Sequence, residues 1–220
     1  MLPTPRTGRF FIRIRAFLMT PASQTEYLST QSGLVWGYLL DGAGGAKIID
    51  ASGLLHALEQ QRAGPSSGIL WLHFNLAQAT TERWLKDHTN LPAEFFEALH
   101  LGSRSTRVEL VDDGLLAVVN DVLHGFSFDP SEISTLWVYV TPGLFISARR
   151  KPLKSVDRLK YSVQNGARIN STTELLTHLL RDQADVLMGI LRDAVTRADK
   201  IEDDLLAGRL NHKRENLGAL

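Results

Sequence analysis

The sequence contains no cysteine. That excludes disulfides and thiolate catalysis, leaves the redox compartment open, and restricts any metal site to His, carboxylates and carbonyls. It has no net charge, with 24 Lys plus Arg against 24 Asp plus Glu, so no field of one sign draws it to nucleic acid or to an anionic membrane. Nowhere do about 18 uncharged apolar residues run together, so nothing in the given sequence predicts a membrane span. Gly42-Ala43-Gly44-Gly45 lacks the Lys-Ser/Thr and the following helix of a phosphate loop. No Gly-x-Ser-x-Gly elbow or His-Glu-x-x-His occurs, and aromatics are not interleaved with basic residues as single-strand binding requires. No internal repeat or low-complexity tract is present.

What is there suits a soluble globular protein: 220 residues, 44% hydrophobic, enough for one substantial domain with appended helices. Residues 1–31 read as a leader. It opens with Arg6, Arg9, Arg13 and Arg15 and no acid, and Phe10-Phe11-Ile12 and Phe17-Leu18-Met19 are too short for a signal-peptide core. Met19 is an alternative start. Strands are expected at 32–40, 46–50 and 69–74, the last apolar throughout and suited to a strand buried on both faces. Two hairpins follow, 106–111 with 115–123 around Asp112-Asp113-Gly114, and 136–140 with 144–148 around Thr141-Pro142-Gly143. Helices are expected at 54–61, 81–88, 92–100 and 152–164. This order predicts a mixed α/β (α+β) domain over 32–168, a helix/mixed-sheet/helix sandwich.

The segment 169–220 is read as a long projecting α-helix and the start of a second, antiparallel one from Asn211. Ser171 and Glu174 have capping-box spacing. Leu180, Ala184, Leu187, Leu191, Ala194, Ala198, Ile201 and Leu205 then alternate steps of four and three, an a/d seam reaching about Ala207. About 36 helical residues reach ~54 Å, whereas a domain of about 170 residues is roughly 40 Å across. The helix is therefore expected to outreach its domain, with a seam in need of a partner.

Several pieces in order resemble the cytoplasmic domain of CorA-type divalent-metal transporters, most closely their zinc-transporting ZntB branch. They are Gly33-Leu34-Val35-Trp36-Gly37-Tyr38, Trp71-Leu72-His73-Phe74-Asn75, Ser105-Thr106-Arg107-Val108-Glu109, the run Leu144 to Leu153, and the helix ending Ala198 to Leu205. The resemblance implies a non-enzymatic, metal-sensing and gating domain at the cytoplasmic face of the bacterial inner membrane, assembled as a homopentamer. It also implies a continuation through an antiparallel helix, two membrane spans and a Gly-Met-Asn pore motif. No Gly-Met-Asn occurs in this sequence, so the chain is expected to be a soluble fragment, touching the membrane only through spans it lacks. The implied ions are Zn2+ or Mg2+, with no organic cofactor.

Two groups of side chains suit divalent cations. His178, Asp182 and Asp185 share one helical stripe away from the seam and could ligate Zn2+ jointly, or form a solvated face beside Arg181. Asp199, Glu202 and Asp203, with Asp204, concentrate negative charge near the helix tip and would raise local cation concentration. At that end of the helix dipole they cost roughly a few tenths of a kcal/mol each. His73 reads as a buried, hydrogen-bonded histidine, Asp112 and Asp113 as turn residues, Arg107 and Glu109 as an ion pair or subunit contact, and Arg149-Arg150-Lys151 as a solvated strand end. Two rival readings stand: a metal-dependent hydrolase using His73, Asp121 and His124, and a soluble oligomerisation or adaptor domain.

Overall fold

Ile69–Asn75 is apolar at nearly every position and forms the central strand β3, buried on both faces up to its last residue. The computed structural model describes residues 32–64, 68–101, 105–123, 126–127 and 129–217. The expected leader and His124 lie outside them. Around β3, the strands β1 (Leu34–Leu40), β2 (Ala46–Ile49), β4 (Arg107–Val111), β5 (Gly114–Val122), β6 (Ile133–Thr141) and β7 (Leu144–Arg149) complete a seven-stranded mixed sheet in the order β2-β1-β3-β7-β6-β5-β4. β3 runs parallel to β7, with Leu70 opposite Leu144 and Asn75 opposite Arg149. The other neighbouring pairs are antiparallel.

The turns follow the local chemistry. Pro142 and Gly143 join β6 to β7, and Gly143 takes the left-handed conformation (φ 81°) that this turn requires and glycine adopts without strain. Asp112 adopts φ 51° at the tip of the β4–β5 hairpin, as expected of a turn residue. β6 starts at Ile133 rather than at Leu136, because Ile133, Ser134 and Thr135 pair with Val122, Asp121 and Asn120.

Helices cover both faces. On one, α1 (Leu54–Arg62), α2 (Thr81–His88) and α3 (Ala93–Leu101) pack Leu54, Leu58, Trp84, Leu85, Phe95 and Leu99 against Leu70, Leu72, Phe74, Trp137 and Ile146. On the other, α4 (Lys154–Gln164) and the first turns of α5 (Thr172–Leu217) pack Val156, Leu159, Val163, Leu175, Leu176 and Leu179 against Trp71, Val119, Leu136, Val138 and Phe145. Each layer buries apolar area worth about 25 cal/mol per Å2, which is what holds these short helices in place.

The 46-residue α5 is about 69 Å long. It passes through Gly208 and Asn211 without a break, where the sequence suggests a reversal into a second helix. Without proline, a lone glycine costs a helix only about 1 kcal/mol, too little to stop it. Ser171 Oγ accepts from Glu174 N–H at 3.0 Å, and the Glu174 carboxylate accepts from Asn170 N–H at 2.8 Å, a capping box displaced by one residue on its return bond.

The face of α5 that packs on the sheet is not the seam. Thr172, Leu175, Leu176, Leu179, Gln183 and Val186 are buried, about 100° around the helix from the alternating stripe. Of that stripe, Leu180 touches the core and Ala194 is half-buried. Leu187, Leu191, Ile201 and Leu205 are 44%, 56%, 61% and 59% exposed. Beyond Val186 the helix overhangs the sheet for roughly 45 Å.

Candidate functional site

The two groups of metal-ligand type both lie on α5. His178 and Asp182 are half-buried on the flank turned to α4, and Asp185 is exposed. Asp182 lies 3.9 Å from Arg158 of α4. A cleft of about 350 Å3 there is lined by Asp157, Arg158, Tyr161, Ser162 and Asp182. Burial pushes the Asp182 carboxyl above its ordinary range, Arg158 and His178 pull it back, and Asp185 pushes it up again. His178 and Asp185 thus both act on Asp182, though Arg158 already supplies the positive charge beside it.

Asp199, Glu202, Asp203 and Asp204 are exposed on the overhang. Among the described residues no three His, Asp or Glu side chains stand close enough to hold a metal ion. Both stripes can attract hydrated cations through their carboxylates. Holding one by direct ligation would need side chains to move or a second chain to contribute.

The buried polar chemistry lies elsewhere, beneath α4. His73 has no exposed surface, and its Nδ1 is 2.8 Å from Ser147 Oγ. Arg149 Nε donates to His73 Nε2 at 3.0 Å, and Trp71 Nε1 donates to Ser147 Oγ at 3.0 Å. Trp36 stacks on the His73 ring at 4.1 Å, with Lys160 Nζ 4.3 Å from the Trp36 ring centroid. Burial first, then Arg149 and Lys160, hold the His73 imidazole well below its usual proton affinity. His73 is therefore the satisfied buried histidine expected. Arg149 is not the solvated strand end expected, being only 9% exposed. Alternation places Ser147 and Arg149 on one face of β7, but only the pairing of β7 with β3 brings His73 beside them.

Asp121 is also buried, and it caps α4: its carboxylate accepts from Ser155 N–H at 2.9 Å and from Ser155 Oγ at 2.6 Å. It does not join His73. Through Ser147 and Val138, His73 lines up with Ala117, three strands across and four residues short of Asp121. That separates the two by roughly 19 Å. The hydrolase arrangement is not assembled. Arg107 and Glu109 form the expected ion pair at 2.8 Å.

Another cleft, about 670 Å3, opens where α5 begins, lined by Asp41, Asp113, Pro142, Asn170 and Ser171 among others. The Asp41 carboxylate is tied to the N–H groups of Ala43 and Gly45, both at 2.8 Å, and these bonds hold it below the usual carboxylate range.

A family model described as CorA-like Mg2+ transporter protein matches residues 66–220. The divalent cation transporter CmaX of Pseudomonas aeruginosa is 28% identical over 196 residues, covering 85% of this chain and 56% of that protein. The zinc transport protein ZntB of Pectobacterium carotovorum is 25% identical over 184 residues, covering 84% and 54%. The chain thus spans about half the length of these relatives. Among solved structures, full-length CmaX matches with a TM-score of 0.63 at 24% identity, covering 78% of this chain and 51% of that one. The ZntB cytoplasmic domain from Vibrio parahaemolyticus matches with a TM-score of 0.55 at 12% identity, covering 74% and 63%. These two likenesses concern the fold alone. Among the described residues no helix is long and apolar enough to cross a membrane.

Proposed function

The chain belongs to the family of CorA-like Mg2+ transporter proteins, and we propose that it forms the cytoplasmic metal-sensing and gating part of a divalent-cation transporter. The observation that carries this reading is α5, a 46-residue helix that leaves the sheet after Val186 with an apolar strip exposed and carboxylates beside it. A rod of this kind is suited to carry a change in packing to a distant pore.

In this reading the domain works without catalysis and without an organic cofactor. Zn2+ is the favoured ion, in line with the name of ZntB, and Mg2+ the alternative, in line with the description of the family model. His178, Asp182 and Asp185 bind a cation at the α4–α5 flank, and Asp199, Glu202 and Asp203 gather cations along the overhang. Copies associate through the exposed seam, as a pentamer by family resemblance, and the full-length protein sits at the bacterial inner membrane. Differential affinity for the ion in two packings of neighbouring copies would move the rod.

Isothermal titration with Zn2+ and Mg2+ tests the sensor. Saturable heat that disappears when Asp182 and Asp185 are replaced by Asn supports it. Absence of heat up to about millimolar ion, the weak end of physiological divalent-cation sites, removes the sensor while leaving the family assignment intact.

A further inference from the structure

We propose that His73, Arg149 and α4 form a proton-operated latch: neutral His73 holds Arg149 in place beneath α4, and protonation of the ring releases α4 from the sheet and slackens its grip on α5.

The hydrogen bonds fix the resting state. Arginine Nε–H can only donate, so His73 Nε2 must be the acceptor in its 3.0 Å bond with Arg149. The single ring proton is then on Nδ1, donated to Ser147 Oγ. Ser147 Oγ also accepts from Trp71 Nε1 and donates its own O–H to the Leu72 carbonyl at 3.3 Å. Each member of the chain is satisfied in one arrangement only, that with a neutral ring.

A second proton has nowhere to go but Nε2, where it would face the Arg149 N–H. The charged groups that act on this ring are Arg149 from β7 and Lys160 from α4, while β1 contributes the uncharged Trp36 and Asp157 of α4 acts on Arg149. Both of the charges acting on the ring are positive, so a charged imidazole meets repulsion in a water-poor site. The ring and Arg149 are held by the sheet, and α4 is the movable party. It bears Lys160, which lies over Trp36, and Asp157, whose field favours the Arg149 cation. It also bears Arg158, the residue that meets Asp182 of α5. Loosening α4 therefore reaches the overhanging helix.

Hydrogen–deuterium exchange of the whole chain tests the latch, with pH stepped from about 7.5 to about 4.5 across and below the ordinary histidine range. The wild type is compared with His73→Gln, a neutral side chain that cannot take the second proton. Peptides over 154–164 are expected to lose protection about tenfold in the wild type, some 1.4 kcal/mol, while those over 114–122 and 133–141 keep theirs. In H73Q the loss should shrink to less than about threefold. Simultaneous opening of α4 and the sheet, or the same acid response in H73Q, overturns the proposal. Should H73Q fail to fold, 15N spectra of the wild-type histidines decide. A ring that is neutral and Nδ1-protonated at pH 7.5 and takes its second proton only as peptides over 154–164 lose protection upholds the latch, and protonation that leaves 154–164 protected, or protection there that never falls, overturns it.

Discussion

A histidine enclosed by a sheet and a helix titrates against its surroundings, and the direction is readable from its neighbours. Burial, Arg149 and Lys160 all depress the folded-state proton affinity of His73. The unfolded chain therefore takes up that proton first as pH drops below about 6.5. Stability contributed by the neutral ring is complete above that pH and drains away as pH falls toward the depressed folded-state value, at up to about 1.4 kcal/mol per pH unit. Asp182 has the opposite sign, since burial raises its folded-state value. Its contribution is complete in acid and is lost as pH rises through that raised value. Urea unfolding at pH 7 and pH 5 should show a smaller acid loss for H73Q than for the wild type. At neutral pH, Asp182→Asn should be neutral or slightly stabilising, because the ionised carboxylate is disfavoured where it sits. Ser147→Ala should cost about 2–3 kcal/mol, because it strands the buried His73 and Trp71 donors, and the urea midpoint measures it.

Side chains anchor α4 and α5 at their beginnings, and both anchors are easily removed. Ser171→Ala should cost about 1 kcal/mol of stability, read as a drop in the thermal midpoint. Asp121→Ala removes both bonds to Ser155 at the start of α4 and should cost more, about 2–3 kcal/mol. At this scale much was legible in advance. The reading of 81–88 as helix matches α2, the hairpins follow from their turn residues, and the buried β3 follows from its unbroken apolar run. What escaped was orientation. The sequence pattern picks the Leu180–Leu205 stripe of α5 because it is regular. The stripe that packs is interrupted by Gln183, whose amide donates to the Asn120 carbonyl at the end of β5. That polar residue is a core residue only once the strand beneath it is known. Arg149 was misread for the same reason: its partner, His73, stands 76 residues away in the chain.

For the molecule as a whole, the exposed seam separates association from folding. Leu191→Glu with Ile201→Glu changes exposed residues outside both core clusters, so the urea midpoint should stay within about 0.5 kcal/mol of the wild type. Sedimentation at rising concentration should show any self-association of the wild type lost in the double variant. The sandwich was legible from the order of elements, as were the motifs that carry the family likeness. The strand order was not, because no local pattern says that β3 and β7 lie side by side. That parallel join has a kinetic consequence. β1, β2 and β3 can assemble from near neighbours, and so can β4 to β7, but Leu70 must await Leu144. Long-range pairings of this kind form slowly. Until the join closes, a chain emerging from the ribosome carries two greasy sheet margins, and a chaperone would find them at Ile69–Asn75 and Leu144–Arg149.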